Sequence, residues 1–196
     1  MAKVKRKQSP PHFLDYRKYK KFLRKDFDYS CAYCSITEPE WGSFWNFVVE
    51  HYKPKSKFPT LKCIYSNLFY ACNQCNCHKR DIWPTEVERQ EGFHILNPCD
   101  HDFSRHFKPL YSGRLRHLTK AAEYTSEVLQ LNRDTLVTMR LNRRRARRTI
   151  KELEDMQDKF LDRYKRATGE NEKKEIEENI NRLQGAIEKL AIGIGR

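Results

Sequence analysis

Cys31-Ala32-Tyr33-Cys34 and Cys72-Asn73-Gln74-Cys75 decide the reading of this 196-residue chain. Each stretch is a Cys-x-x-Cys knuckle that turns two thiolates toward one point. Together they supply the four-sulfur tetrahedral set that zinc prefers. A single knuckle would leave redox or merely buried cysteines open; two favour a structural zinc. The 37 residues between the knuckles exceed the spacing of a simple zinc ribbon. They must carry structure of their own, which reads as a β-hairpin. Cys63, Cys77 and Cys99 are left over and read as small apolar core residues, with Cys77 at most a surrogate ligand. An odd count of 7 cysteines, with no export signal in view, argues against a disulfide framework and for a cytoplasmic protein.

Working outward, the run Phe47-Val48-Val49 ahead of Glu50-His51 is aromatic and β-branched, hence strand-like. Pro54 and Pro59 mark a loop after it. Ser66-Asn67-Leu68 leads into the second knuckle, and the residues after Cys75 read as a helix stopped by Pro84. A carboxylate beside a histidine at a strand end has a clear chemical use. With an amide oxygen, the carboxylate can hold a hard divalent cation, Mg²⁺ or Mn²⁺. A neutral imidazole takes a proton from water near neutral pH. Neighbouring strand residues point to opposite sides, so this use requires twisting at the strand end. Taken alone, a Glu-His pair is more often solvated surface. His78 reads as a surface or supporting residue, with contact to the metal or a phosphate as the alternative, and His94, His101, His106 and His117 read as structural or surface groups.

Residues 31–81 resemble the HNH, or ββα-metal, endonuclease superfamily. The pattern is carried by Cys31/Cys34, Glu50-His51, Asn67, Cys72/Cys75, Asn76 and Lys79. The resemblance implies a treble-clef core in which His51 is the general base and Glu50 and Asn76 hold the catalytic ion. It further implies that Asn67 holds the loop that orients His51 and that Lys79 approaches a phosphate oxygen. The family's commonest residue before the histidine is Asp; here it is Glu50. The implied reaction is attack of a deprotonated water on a phosphodiester, leaving 5′-phosphate and 3′-hydroxyl ends.

The formal net charge of +13 calls for a polyanionic partner. A membrane surface would need a broad apolar face beside the basic residues, which is not seen, and no stretch is long and apolar enough to span a bilayer. Nucleic acid, DNA first, is the expected partner. Arg140, Arg143, Arg144, Arg145, Arg147 and Arg148 crowd one helical segment and are read as phosphate contacts that position substrate without specifying sequence. The bland alternative is a solvated helix paired with Glu152, Glu154 and Asp155. Ile176, Ile180, Leu183, Ile187 and Leu190 follow the 4-3-4-3 spacing of a coiled-coil seam. They predict an antiparallel helical hairpin, with a slight preference for a role between chains.

The stretch Leu96-Asn97-Pro98 through Gly113-Arg114-Leu115, then Thr125 to Leu131-Asn132-Arg133 and Arg140, within residues 92–145, looks more loosely like the C-terminal part of HNH proteins of prokaryotic anti-phage defence systems, Septu-type and retron-associated. That resemblance implies an ATPase partner subunit. The expected class is α+β: a small zinc-bound ββα core with a helical C-terminal extension ending in the hairpin. The expected layout is a disordered basic tail over 1–11, a nuclease core over 12–98, an irregular then helical basic extension over 99–149, and the hairpin over 150–196. Two further readings stand beside the metal-dependent endonuclease. One is a zinc module that binds nucleic acid without cutting it. The other is an adaptor whose hairpin is the working surface, which includes self-association.

Overall fold

The computed structural model describes residues 3–194. The first two residues of the expected tail and the last two of the expected hairpin lie outside that range. The chain divides into two compact units, residues 1–139 and 140–196.

The first unit starts with a short helix, α1 (Lys20–Asp26), followed by the first knuckle. Strands β1 (Phe47–His51) and β2 (Leu68–Cys72) pair antiparallel, with Phe47 opposite Cys72 and His51 opposite Leu68. Helix α2 (Asn73–Lys79) follows β2 without a break. Cys72 is its N-cap, and the sulfur accepts from the Cys75 amide at 3.5 Å, so one residue ends the strand, caps the helix and offers a thiolate. The first knuckle is tied to the hairpin by the Ala32 amide, which donates to the Tyr70 carbonyl at 2.8 Å. After α2 come α3 (Glu86–Gln90), a second small hairpin of β3 (Phe107–Pro109) and β4 (Leu115–His117), and α4 (Lys120–Leu129).

The expected boundary at 98/99 is absent. Ile95, Leu96, Phe103, Phe107, Ala122 and Leu129 belong to the same buried core as Tyr33, Phe47, Phe69 and the four knuckle cysteines. A shared core makes one cooperative unit, whatever the composition of the connecting loops. Nor is the N-terminal segment a disordered tail from residue 3 onward. The Val4 amide donates to the Pro98 carbonyl. Arg6 donates to the Leu68 carbonyl at 2.7 Å, and its guanidinium lies over the rings of Phe27, Tyr65 and Phe69. Buried Asp26 accepts from the amides of Lys7 and Gln8 and from the Tyr65 hydroxyl.

A second polar cluster joins α1, the first knuckle and β2. Arg24 holds both oxygens of Glu38 at 2.7 Å each, and the Tyr70 hydroxyl donates to the same carboxylate at 2.7 Å. Burial alone would raise the Glu38 carboxyl, but the hydrogen bonds from Arg24 and Tyr70 outweigh it and hold it below its ordinary 4.5. A carboxyl lowered on folding stabilises the fold above its unfolded value and loses that contribution as pH falls through its folded one. Glu38→Gln is therefore expected to cost about 2 kcal/mol at neutral pH. The difference from wild type should shrink progressively below pH 4.5, as denaturant titrations across pH would read.

The second unit contains most of α5 (Asp134–Arg166) and α6 (Glu170–Gly193), packed as a hairpin. Gln157 donates to Gln184 across it at 3.1 Å, and Arg163 meets Glu172 at 3.6 Å. The predicted seam is there: Ile176 is buried, and Ile180, Leu183, Ile187 and Leu190 are half-buried. The class is α+β as expected, with small two-stranded sheets, a four-cysteine site and the terminal hairpin. Among the described residues, no helix is long and apolar enough to cross a membrane.

Candidate metal centre and the cleft beside it

The Sγ atoms of Cys31, Cys34, Cys72 and Cys75 all lie within 4.8 Å of one another, and all four residues are buried. None is in a disulfide. Zinc–sulfur bonds of about 2.3 Å in a tetrahedron put the sulfurs about 3.8 Å apart. The Cys34 and Cys72 sulfurs are 3.8 Å apart. The donor set and its spacing fit one structural Zn²⁺.

Four thiolates around one Zn²⁺ leave two negative charges, and the structure supplies a compensating group that the sequence reading missed. Half-buried Arg133 places Nη2 at 3.6 Å from the Cys75 sulfur and 4.0 Å from that of Cys72. The same guanidinium donates to Gln74 Oε1 and to the Leu129 carbonyl, so it binds the end of α4 to the second knuckle. Nothing in the local sequence distinguishes Arg133 from its many basic neighbours.

The cleft beside this centre has a volume of about 500 Å³, and its walls include Tyr16, Glu50, His51, Lys55, Asn76 and Arg80. His51 ends β1 and is largely buried. Its Nε2 is 3.0 Å from the Lys62 carbonyl. A carbonyl only accepts, so Nε2 carries the proton and Nδ1 holds the lone pair. The described residues provide no hydrogen-bond partner for Nδ1. Burial, then the nearby Lys55, Lys79 and Lys62, push His51 below its ordinary 6.5, while the Lys62 carbonyl opposes them. The Tyr16 ring meets the imidazole edge-on at 4.7 Å.

The loop that provides the Lys62 carbonyl is held by Asn67. Its Oδ1 accepts from the Lys53 amide at 2.8 Å, and its Nδ2 donates to the carbonyls of Lys53 and Leu61.

Glu50 and Asn76 line the same cleft as His51. Glu50 is buried, and burial pushes its carboxyl up while Lys79 opposes the shift. Its Oε1 is 2.6 Å from the Lys79 ammonium, a buried ion pair that offsets part of the cost of burial. The half-buried Asn76 amide has no side-chain partner among the described residues. A carboxylate and an amide on one cleft are oxygen donors of the kind a hard divalent cation takes, although Lys79 already engages the carboxylate.

Lys79 is not where the resemblance implies. It is fully buried, donates to the His51 carbonyl at 2.8 Å and faces Glu50. It cannot reach a phosphate without leaving the core. Removing one member of a buried ion pair strands the other, so Lys79→Met is expected to lower stability by about 3 kcal/mol. A chemical-denaturation midpoint reads that directly; a surface phosphate ligand would leave it unmoved. Cys77 also departs from its core reading, since it is exposed on the cleft wall. Cys63 and Cys99 are half-buried.

The arginine block lies on α5 in the second unit. Arg144, Arg145, Arg147 and Arg148 are exposed, and Arg140 and Arg143 are half-buried. Arg148 pairs with Glu152 at 3.0 Å, as the bland reading expects of part of the block. Arg140, Arg143 and Arg144 each have interactions within the protein.

No family model matches the chain. It is 26% identical over 144 residues to the Septu protein PtuA of Bacillus mycoides (strain KBAB4), an alignment covering 61% of this chain and 20% of that protein. The chain thus spans about a fifth of the length of the relative it matches. The similarity is distant and agrees with the looser resemblance to Septu-type systems.

Proposed function

We propose that this protein is an HNH-type endonuclease that hydrolyses phosphodiester bonds, with DNA the first substrate to test. The observation that carries the reading is the state of His51: one ring nitrogen is fixed by the Lys62 carbonyl, and the other has no partner among the described residues, on a cleft that Glu50 and Asn76 also line. In this reading Nδ1 accepts the proton of an attacking water. Tyr16 and the loop clamped by Asn67 keep the ring from turning away. Glu50 and Asn76 would hold a divalent cation, which when bound supplies charge stabilisation at the phosphate and the leaving oxygen. Lys79 fixes the backbone and the carboxylate at this strand end, both from inside the core.

The zinc centre serves this chemistry structurally. It joins the end of β2 to α2 and so sets Asn76, one residue past Cys75, against the end of β1. The arginine block of α5 would hold substrate through its phosphates. The similarity to a Septu protein supports a place in anti-phage defence. There an ATPase subunit would be the partner, and the terminal hairpin would be the surface on which it or a second copy docks. The test is cleavage of plasmid DNA and of RNA by zinc-loaded protein with Mg²⁺ or Mn²⁺. Binding without cleavage under either ion would leave the non-catalytic zinc module as the reading.

A further inference from the structure

Arg80 closes α2 with φ +46° and ψ −131°. That backbone region is open to glycine and costs any residue with a Cβ. A long basic side chain is an expensive choice there, and strain of this kind persists where the surroundings over-determine it, often at a working site. Arg80 lies on the cleft wall with His51, four residues after Asn76. Its Nε donates to the Cys77 carbonyl at 3.1 Å, which anchors the guanidinium at the helix end. No carboxylate pairs with it among the described residues, although its neighbour Asp81 lines the same cleft.

The charges around the cleft can be compared one by one. Glu50 is matched by Lys79. Lys55 is exposed, with Nζ 3.4 Å from the Tyr16 hydroxyl and 5.2 Å from its ring centroid. Arg80 and Lys55 thus stand against Asp81 alone, and the cleft favours an anion. A guanidinium presents paired donors that suit two oxygens of one phosphate.

We propose that Arg80 is the phosphate clamp of the His51 cleft, held in a glycine-type backbone conformation so that its guanidinium stands beside the base. This rests on the reading of the cleft as a phosphodiester site. It moves the phosphate contact from Lys79, which is buried, to the residue after it.

Arg80→Gly is the decisive variant because it relieves the backbone strain and is expected to fold. Binding of a fluorescein-labelled DNA duplex is followed by anisotropy over a salt series, with no divalent ion added. The glycine variant should bind about five- to twentyfold more weakly, and the slope of log K against log salt should be shallower by about one. Its Tm should equal or exceed that of wild type. Arg80→Lys should restore the slope. Unchanged affinity and slope in Arg80→Gly would overturn the proposal. So would a fall in Tm, which would make Arg80 structural, a slope that Arg80→Lys fails to restore, or a wild type that does not bind the duplex. Failure of the nuclease reading is separable: wild type would then cut nothing, while the Arg80→Gly loss of binding would still place a phosphate at Arg80.

Discussion

His51→Ala, loaded with zinc to the wild-type level, should cut plasmid DNA about a thousandfold more slowly than wild type while binding it equally well. The magnitude follows from the role. A positioned base contributes about 10²–10⁴ in rate, and of the two carboxylates on the cleft only that of Asp81 lies outside the core. Tyr16 offers a phenol edge-on to the imidazole, Lys55 an amine that donates to that phenol, and Glu50 is paired with Lys79 inside the core. The substitution also leaves the Lys62 carbonyl without its donor and empties the space against Tyr16. Those losses should cost about 1–3 kcal/mol of stability. His51→Gln is therefore the companion variant: it fills more of the space and offers a donor for the carbonyl, yet has no nitrogen that can take a proton. Both variants should be inactive with unchanged duplex affinity. Wild-type cleavage by either one, at matched zinc content, would remove His51 from the mechanism.

The parts of this arrangement that could be read from sequence share one property: they depend on residues close in the chain or on a strict period. The knuckles are local backbone turns with sulfurs at fixed spacing, so Cys31/Cys34 and Cys72/Cys75 were legible, and so was the seam from Ile176 to Leu190. The position of Lys79 was legible in principle. It lies four residues after Cys75, so the two share a face of α2, and Cys75 must face the metal. The same spacing sets Arg80 on the side of Asn76. Family resemblance pointed to Lys79 where the helical period pointed inward. Tyr16 and Lys55 come to the cleft from separate segments, and no local signal announces that. The hairpin of β3 and β4 escaped because its strands are 3 residues each, too short to show alternation. The N-terminal segment looked like a solvated basic tail because the partners of Arg6, three aromatic rings and the carboxylate of Asp26, are far along the chain.

Removal of zinc should unfold the first unit outright. A structural zinc in a small domain contributes about 10–16 kcal/mol of apparent binding energy at neutral pH. A whole domain of ordinary stability has only about 5–15 kcal/mol to lose. Here all four ligands are core residues, packed with Tyr33, Phe69 and Tyr70. Without the ion, four crowded buried sulfurs remain, and the Arg133 guanidinium loses the negative centre it faces. Metal analysis should find one zinc per chain, and Cys75→Ser should abolish it. Cys63→Ser and Cys77→Ser should keep zinc and fold normally, since neither residue belongs to the cluster. The second unit contains no cysteine. Chelation should therefore erase the near-ultraviolet signal of the aromatic core and the cooperative unfolding of the first unit, while part of the helical signal from α5 and α6 persists. If metal-free protein keeps a cooperative transition at the wild-type temperature, the four cysteines are an ordinary core cluster. The strand end, Asn76 and the cleft between them would then owe their geometry to packing alone.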